Sequence, residues 1–223
     1  VRAVILDAAT SSVLERTTLT TSINVTTYLT VLDLSSTWGI VGSAANDWGA
    51  TPDLPMFTTG TDGVFVAYVN LTDGEWKFRE NNDWSNNLGS GSAADDVSSG
   101  GGNFATTAGS FKITLDLNNN KYTKESFSLG IVGGAYNNWG ATPDAQFKRD
   151  WSRPFDDIWI LNDVTLIDGE YKFRANNDWG TNYGDSNADG TLELDGGNLQ
   201  ATAGTYSFIL DFSDPANPTY TIN

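Results

Sequence analysis

A long stretch of this chain occurs twice, which restricts it to folds that can be built from two similar units in series. Gly39-Ile40-Val41-Gly42 matches Gly130-Ile131-Val132-Gly133 at an offset of 91 residues. The same offset carries Trp48-Gly49-Ala50-Thr51-Pro52-Asp53 onto Trp139-Gly140-Ala141-Thr142-Pro143-Asp144. From Asp73-Gly74-Glu75 onward the offset is 95, through Gly101-Gly102-Asn103 and into the closing strands, so the second copy has four extra residues. Their place is around 148–154, as a surface loop.

The best-preserved block sits inside the repeat. Asp73-Gly74-Glu75-Trp76-Lys77-Phe78-Arg79-Glu80-Asn81-Asn82-Asp83-Trp84 answers to Asp168-Gly169-Glu170-Tyr171-Lys172-Phe173-Arg174-Ala175-Asn176-Asn177-Asp178-Trp179. Asp-Gly marks a turn, and the alternation after it is that of a half-buried strand. Trp76 and Phe78, or Tyr171 and Phe173, take the inner face; Glu75, Lys77 and Arg79, or Glu170, Lys172 and Arg174, point outward. Strands are predicted near 39–42, 64–71, 75–80, 103–106, 111–117 and 120–123, with counterparts in the second copy, and no long run has helical period. Short strands with frequent turns give an all-β chain, two β-sandwiches in tandem. The first is expected over 37–126 and the second over 127–223, joined by so few residues that their relation should be fixed. Residues 1–36 read as a separate opening, with strands at Val1-Arg2-Ala3-Val4-Ile5-Leu6 and at Thr21-Ser22-Ile23-Asn24-Val25-Thr26-Thr27-Tyr28. They are either the closing strands of a preceding domain or a hairpin docked on the next one.

Composition narrows the function. Cysteine and histidine are both absent, which removes disulfides, thiolate chemistry and the commonest general base and metal ligand. Twelve Lys+Arg against 28 Asp+Glu give a formal charge of −16, unsuited to nucleic acid or an acidic lipid surface and indifferent to a neutral ligand. No stretch approaches the roughly 20 apolar residues of a membrane-spanning helix, and no signal peptide is read.

Two tryptophans per copy, Trp48 with Trp84 and Trp139 with Trp179, lie in polar Gly- and Asn-rich surroundings. An indole face can stack on the apolar face of a pyranose while Lys, Arg and amide groups donate to neighbouring hydroxyls. Two readings fit: a sugar-binding surface, or tryptophans that plug the ends of each sandwich beside an ordinary charged hairpin. Trp76 and Trp159, the latter aligned with Val64, are expected in the core, and Trp151 in the inserted loop is a candidate extra contact of the second site. Catalysis finds little support, because a glycosidase needs two carboxylates about 5–10 Å apart across a cleft. Glu75 and Glu170 recur, each beside its own lysine, where a solvated ion pair is the ordinary explanation. Asp185-Ser186-Asn187-Ala188-Asp189-Gly190 matches the opening of an EF-hand-type calcium loop, but position twelve is Gly196 and the first copy lacks the pattern. It is read as an Asp-rich turn, with no metal and no cofactor.

On Ile-Val-Gly followed by a loop Trp, Lys-Phe-Arg-x-Asn-Asn-Asp-Trp, and Gly-Gly-Asn before the last strands, residues 37–223 resemble the SusE/SusF family of surface-exposed starch-binding lipoproteins. The resemblance implies tandem immunoglobulin-like or carbohydrate-binding-module β-sandwiches, with residues 1–36 the end of a truncated immunoglobulin-like domain. It implies non-enzymatic binding of α-glucan by Trp48, Lys77, Arg79, Asn81 and Trp84 in the first copy. In the second it implies Trp139, Lys172, Arg174, Asn176 and Trp179. Other proteins of a polysaccharide-uptake system are implied as partners, and outer-membrane attachment is implied by resemblance alone, since the family's lipidated cysteine has no counterpart here. Leu88 stands where the second copy has Tyr183, which implies sites of different affinity. A different neutral polysaccharide, or an adhesin or scaffold without a sugar site, are the competing readings.

Overall fold

Short alternating runs broken by Gly, Asn and Asp favour strands over helices. The computed structural model accordingly holds strands and no helix among its described residues, 2–6, 13–18, 35–153 and 157–223. The chain divides into two units, Val1–Val31 and Leu32–Asn223. In the first, β1 (Arg2–Leu6) and β2 (Val13–Thr18) pair antiparallel, with a register shift at Ile5/Leu6. The strand expected at 21–28 lies outside the described residues, and β2 was not anticipated.

In the second unit the first copy begins with β3 (Ser35–Val41), β4 (Leu54–Thr58), β5 (Val64–Leu71) and β6 (Gly74–Glu80). It continues with β7 (Asp83–Ser90), β8 (Val97–Ser99), β9 (Phe104–Thr106), β10 (Gly109–Asp116) and β11 (Lys121–Ser126). The strand order is β11-β10-β5-β4-β3-β6-β7-β8, with β9 also on β6. β4 turns the corner between the two layers: Leu54 and Pro55 pair with β3, Phe57 and Thr58 with β5. Trp76 and Phe78 from β6 meet Ala67, Ile113 and Leu115 from the opposite layer in one core. Both inward aromatics are fully buried, and Trp76 packs edge-on to Phe78 at 5.0 Å, as strand parity predicts.

The second copy repeats this plan. Its first layer contains β12 (Leu129–Gly133), β13 (Ala145–Gln146), β16 (Gly169–Ala175), β17 (Asn182–Gly184), β18 (Glu193–Leu194) and β19 (Leu199–Ala201). The facing layer contains β14 (Lys148–Arg149), β15 (Ile158–Leu166), β20 (Gly204–Asp211) and β21 (Thr219–Ile222). Here the corner is split into β13 and β14. Three of the four extra residues lengthen the loop after Arg149; the fourth is a bulge between Leu161 and Val164, with Asp163 at φ 55°. The bulge shifts the alignment, so Trp159, paired with Leu210, takes the place of Phe65, paired with Leu115, and not of Val64. It is core, as expected.

The copies are packed together as well as linked. Trp151 lies flat on Phe57 of the first copy, ring centres 4.1 Å apart and planes at 8°, so it serves this junction and not the second site. Tyr68 packs on Phe127 and Trp159, and the Gln146 amide donates to Ser110 Oγ. Burial, with Asp157 and Glu125 adding to it and Arg149 opposing, pushes the Tyr68 phenol up to about 12. A cleft of about 300 Å³ lies over this junction, lined by Tyr68, Gln146, Arg149 and Trp151. Neither tryptophan pair lines this cleft.

Candidate functional site

Each tryptophan pair is built the same way. The loop after β3 carries Asp47 and Trp48 at φ 51° and 57°, followed by Gly49 at 99°; the loop after β12 carries Asn138 and Trp139 at 49° and 60°, followed by Gly140 at 101°. Tryptophan rarely adopts a left-handed backbone, and such strain, on the order of 1–3 kcal/mol, persists only where surroundings impose it. The imposing group is a buried asparagine. Asn137 Oδ1 accepts from the amides of Gly133 and Gly140, both at 3.1 Å, while its Nδ2 donates to Thr142 O and to Asp144 Oδ1 at 2.8 Å. Asn46 makes the same four bonds in the first copy.

Asp144 then holds Arg174 in a fork, Nε to Oδ2 at 2.6 Å and Nη2 to Oδ1 at 2.9 Å, with both side chains almost wholly buried. Asp53 and Arg79 do likewise at 2.6 and 2.8 Å. The guanidinium forms the floor for the second indole: the Arg174 Cζ lies 4.7 Å from the Trp179 ring centre, and Arg79 stands equally far from Trp84. Glycine is required above it, since a Cβ on Gly140 or Gly49 would come within 2.8 Å of Nη2. Ring centres of Trp48 and Trp84 are 6.0 Å apart with planes at 38°; those of Trp139 and Trp179 are 5.9 Å apart at 40°. Trp84 and Trp179 are each 44% exposed, and Trp139 is 37% exposed. They are not end-plugs of the sandwich.

Several predicted residues have other surroundings than strand parity suggested. Lys77, Arg79, Lys172 and Arg174 do lie on the face away from the core, but all are buried, and the loops bearing Trp48 and Trp139 cover the two arginines. The expected Glu–Lys pairs do not form among the described residues. Glu75 accepts from Asn103 Nδ2 and Glu170 from Asn198 Nδ2 and Gln200 Nε2, and the Lys77 and Lys172 ammonium groups have no acceptor among the described residues. Burial lowers the pKa of both lysines, and the charge of Asp195 opposes the shift at Lys172.

Asn81 and Asn82, at φ 56° and 54°, form a two-residue hairpin turn, so Trp84 is the second residue of β7 and not part of a loop; Trp179 does lie in a loop. Asn81 and Asn176 serve this turn, with Asn176 Oδ1 accepting from Ser128 N, while Asn82 and Asn177 accept from the amides of Asp53 and Asp144. Leu88 and Tyr183 both pack on the cores, so that difference does not reach the sites. Behind each exposed indole stands an asparagine that sequence reading missed: Asn87 Nδ2 donates to Trp84 O at 2.9 Å, and Asn182 Nδ2 to Trp179 O at 3.0 Å.

Asp185, Asp189 and Glu193 bring carboxylate oxygens within 4.8 Å of one another. Burial would raise the Asp185 pKa, but the amides of Gly190, Asp189 and Ala188 and the Tyr220 hydroxyl outweigh it and hold it below its usual value. These bonds account for the carboxylate as the organiser of a tight turn.

Each copy thus presents two angled, partly exposed indoles with an arginine fixed beneath one of them, a surface on which the flat face of a ring could stack. Residues 37–123 match the family model of SusF/SusE starch-specific carbohydrate-binding modules. Among solved structures, SusF from Bacteroides thetaiotaomicron matches with 20% identity and a TM-score of 0.36, over 83% of this chain and 47% of that one. The chain thus spans about half the length of that protein. No curated protein sequence matches it significantly.

Proposed function

We propose that the chain is a non-catalytic, cell-surface binder of α-glucan such as starch, with one module over 37–126 and a second over 127–223. The observation that carries this reading is the recurrence of the tilted indole pair, at 6.0 Å and 38° in one copy and 5.9 Å and 40° in the other. Two rings set at an angle follow a curved glucan better than a flat one. Trp48 and Trp84, or Trp139 and Trp179, stack on the sugars, and Lys77 or Lys172 donates to hydroxyls from an ammonium without an acceptor among the described residues. Arg79 and Arg174 act through the tryptophans they support. Glu75 and Glu170 are engaged by neighbouring side-chain amides, and no reducing-sugar release is expected.

Native affinity electrophoresis in gels containing amylopectin, pullulan, dextran, xyloglucan or mannan tests the class. Retardation by amylopectin and pullulan is expected. Retardation by another polysaccharide alone would move the target, and retardation by none would overturn the reading in favour of an adhesin or scaffold.

A further inference from the structure

The two sites are alike in their tryptophans, arginines and lysines; among the positions at which they differ, the offset of 95 equates Gly100 in the first copy with Asp195 in the second. The backbones there correspond. Gly100 has φ 64° and donates its amide to Asn87 O at 3.1 Å; Asp195 has φ 57° and donates to Asn182 O at 2.9 Å. Asp195 Oδ1 is held at 2.6 Å by Asn182 Nδ2, the same amide nitrogen that donates to the carbonyl of Trp179. One buried amide therefore ties the carboxylate to the exposed indole. Asp195 is itself exposed, its Oδ2 has no hydrogen-bond partner among the described residues, and its charge is felt by Lys172. A fixed carboxylate oxygen near the Lys172 ammonium offers an acceptor and a donor to neighbouring hydroxyls, whereas Gly100 supplies no side-chain acceptor at the matching place in the first site.

We propose that Asp195 is a specificity-determining contact of the second site, accepting a sugar hydroxyl and making that site the tighter of the two. This rests on the glycan-binding reading above. The position can be exchanged cleanly in both directions. A Cβ on Gly100 would meet nothing within 4 Å, and Asp tolerates the left-handed backbone, as Asp195 already shows.

The test is calorimetric titration with maltoheptaose in chains reduced to one site. With Trp84→Ala removing the first site, Asp195→Gly should weaken binding by roughly three- to tenfold, the range of one hydrogen bond to a charged group at a solvated rim. With Trp179→Ala removing the second, Gly100→Asp should tighten binding by a similar factor. Thermal melts matching the respective parents show that neither exchange acts through folding. Unchanged or opposite shifts in both exchanges, while the one-site chains still bind maltoheptaose, would overturn the role of Asp195 and leave the glycan reading intact. Failure of the unaltered chain to bind any glucan would overturn both.

Discussion

Asp144→Ala is expected to cost about 3–5 kcal/mol of stability, measured by urea denaturation, because it strands a buried guanidinium. Both partners are nearly inaccessible, and Arg174 loses two charge-assisted bonds at once. Asn137 loses one of its acceptors too, loosening the loop that holds Trp139 in its left-handed backbone. Removing both charges as Asp144→Leu with Arg174→Met should cost much less than the single change, since an apolar pair avoids the desolvation that the ion pair must overcome. The equivalent change in the first copy, Asp53→Ala, should behave alike, its fork having the same geometry. A loss below about 1 kcal/mol for Asp144→Ala would mean that water reaches the pair and that it acts as a surface ion pair does.

The sandwich plan was legible because it depends on period and turn chemistry, which a sequence displays directly. Parity placed Trp76, Phe78, Tyr171 and Phe173 in the cores, and polar surroundings marked Trp84, Trp139 and Trp179, which stay exposed, and Trp48, which is partly so. Parity says which side of a sheet a residue faces, however, and not what covers that side. Arg79 is buried because a loop some thirty residues earlier lies over it, with Asp53 meeting it across 26 positions. A signal for it existed: the repeated Thr-Pro-Asp, and Asn46 with Asn137 at the same offset, keep the staple and the counter-ion in both copies. The Asn-Asn turn lacks glycine, yet asparagine accepts a left-handed backbone, and Trp84 lies on a strand as a result. The bulge at Asn162-Asp163 moved Trp159 by one place, a shift invisible without the partner strand.

The largest effect on function is expected from removing both exposed indoles. A shallow aromatic surface buries little of a flexible, hydrated ligand, so each site alone should bind on the order of tens of micromolar to millimolar. β11 ends at Ser126 and β12 begins at Leu129, while Phe57–Trp151 and Tyr68–Trp159 packing fixes the copies against each other. A polymer bound at one site therefore meets the other at an effective concentration on the order of millimolar, provided it can reach, and gains affinity without any new contact. For maltoheptaose, too short to profit from both sites, Trp84→Ala or Trp179→Ala should each remove about half the binding capacity and leave the remaining affinity unchanged. For insoluble starch either change should weaken retention, and Trp84→Ala with Trp179→Ala should nearly abolish it. Circular dichroism and a cooperative melt establish that the double variant is folded, which is expected because both side chains lie outside the cores. A folded double variant that sediments with starch as the parent does would show that these indoles are bystanders, and the binding surface would have to be sought elsewhere on the sandwiches.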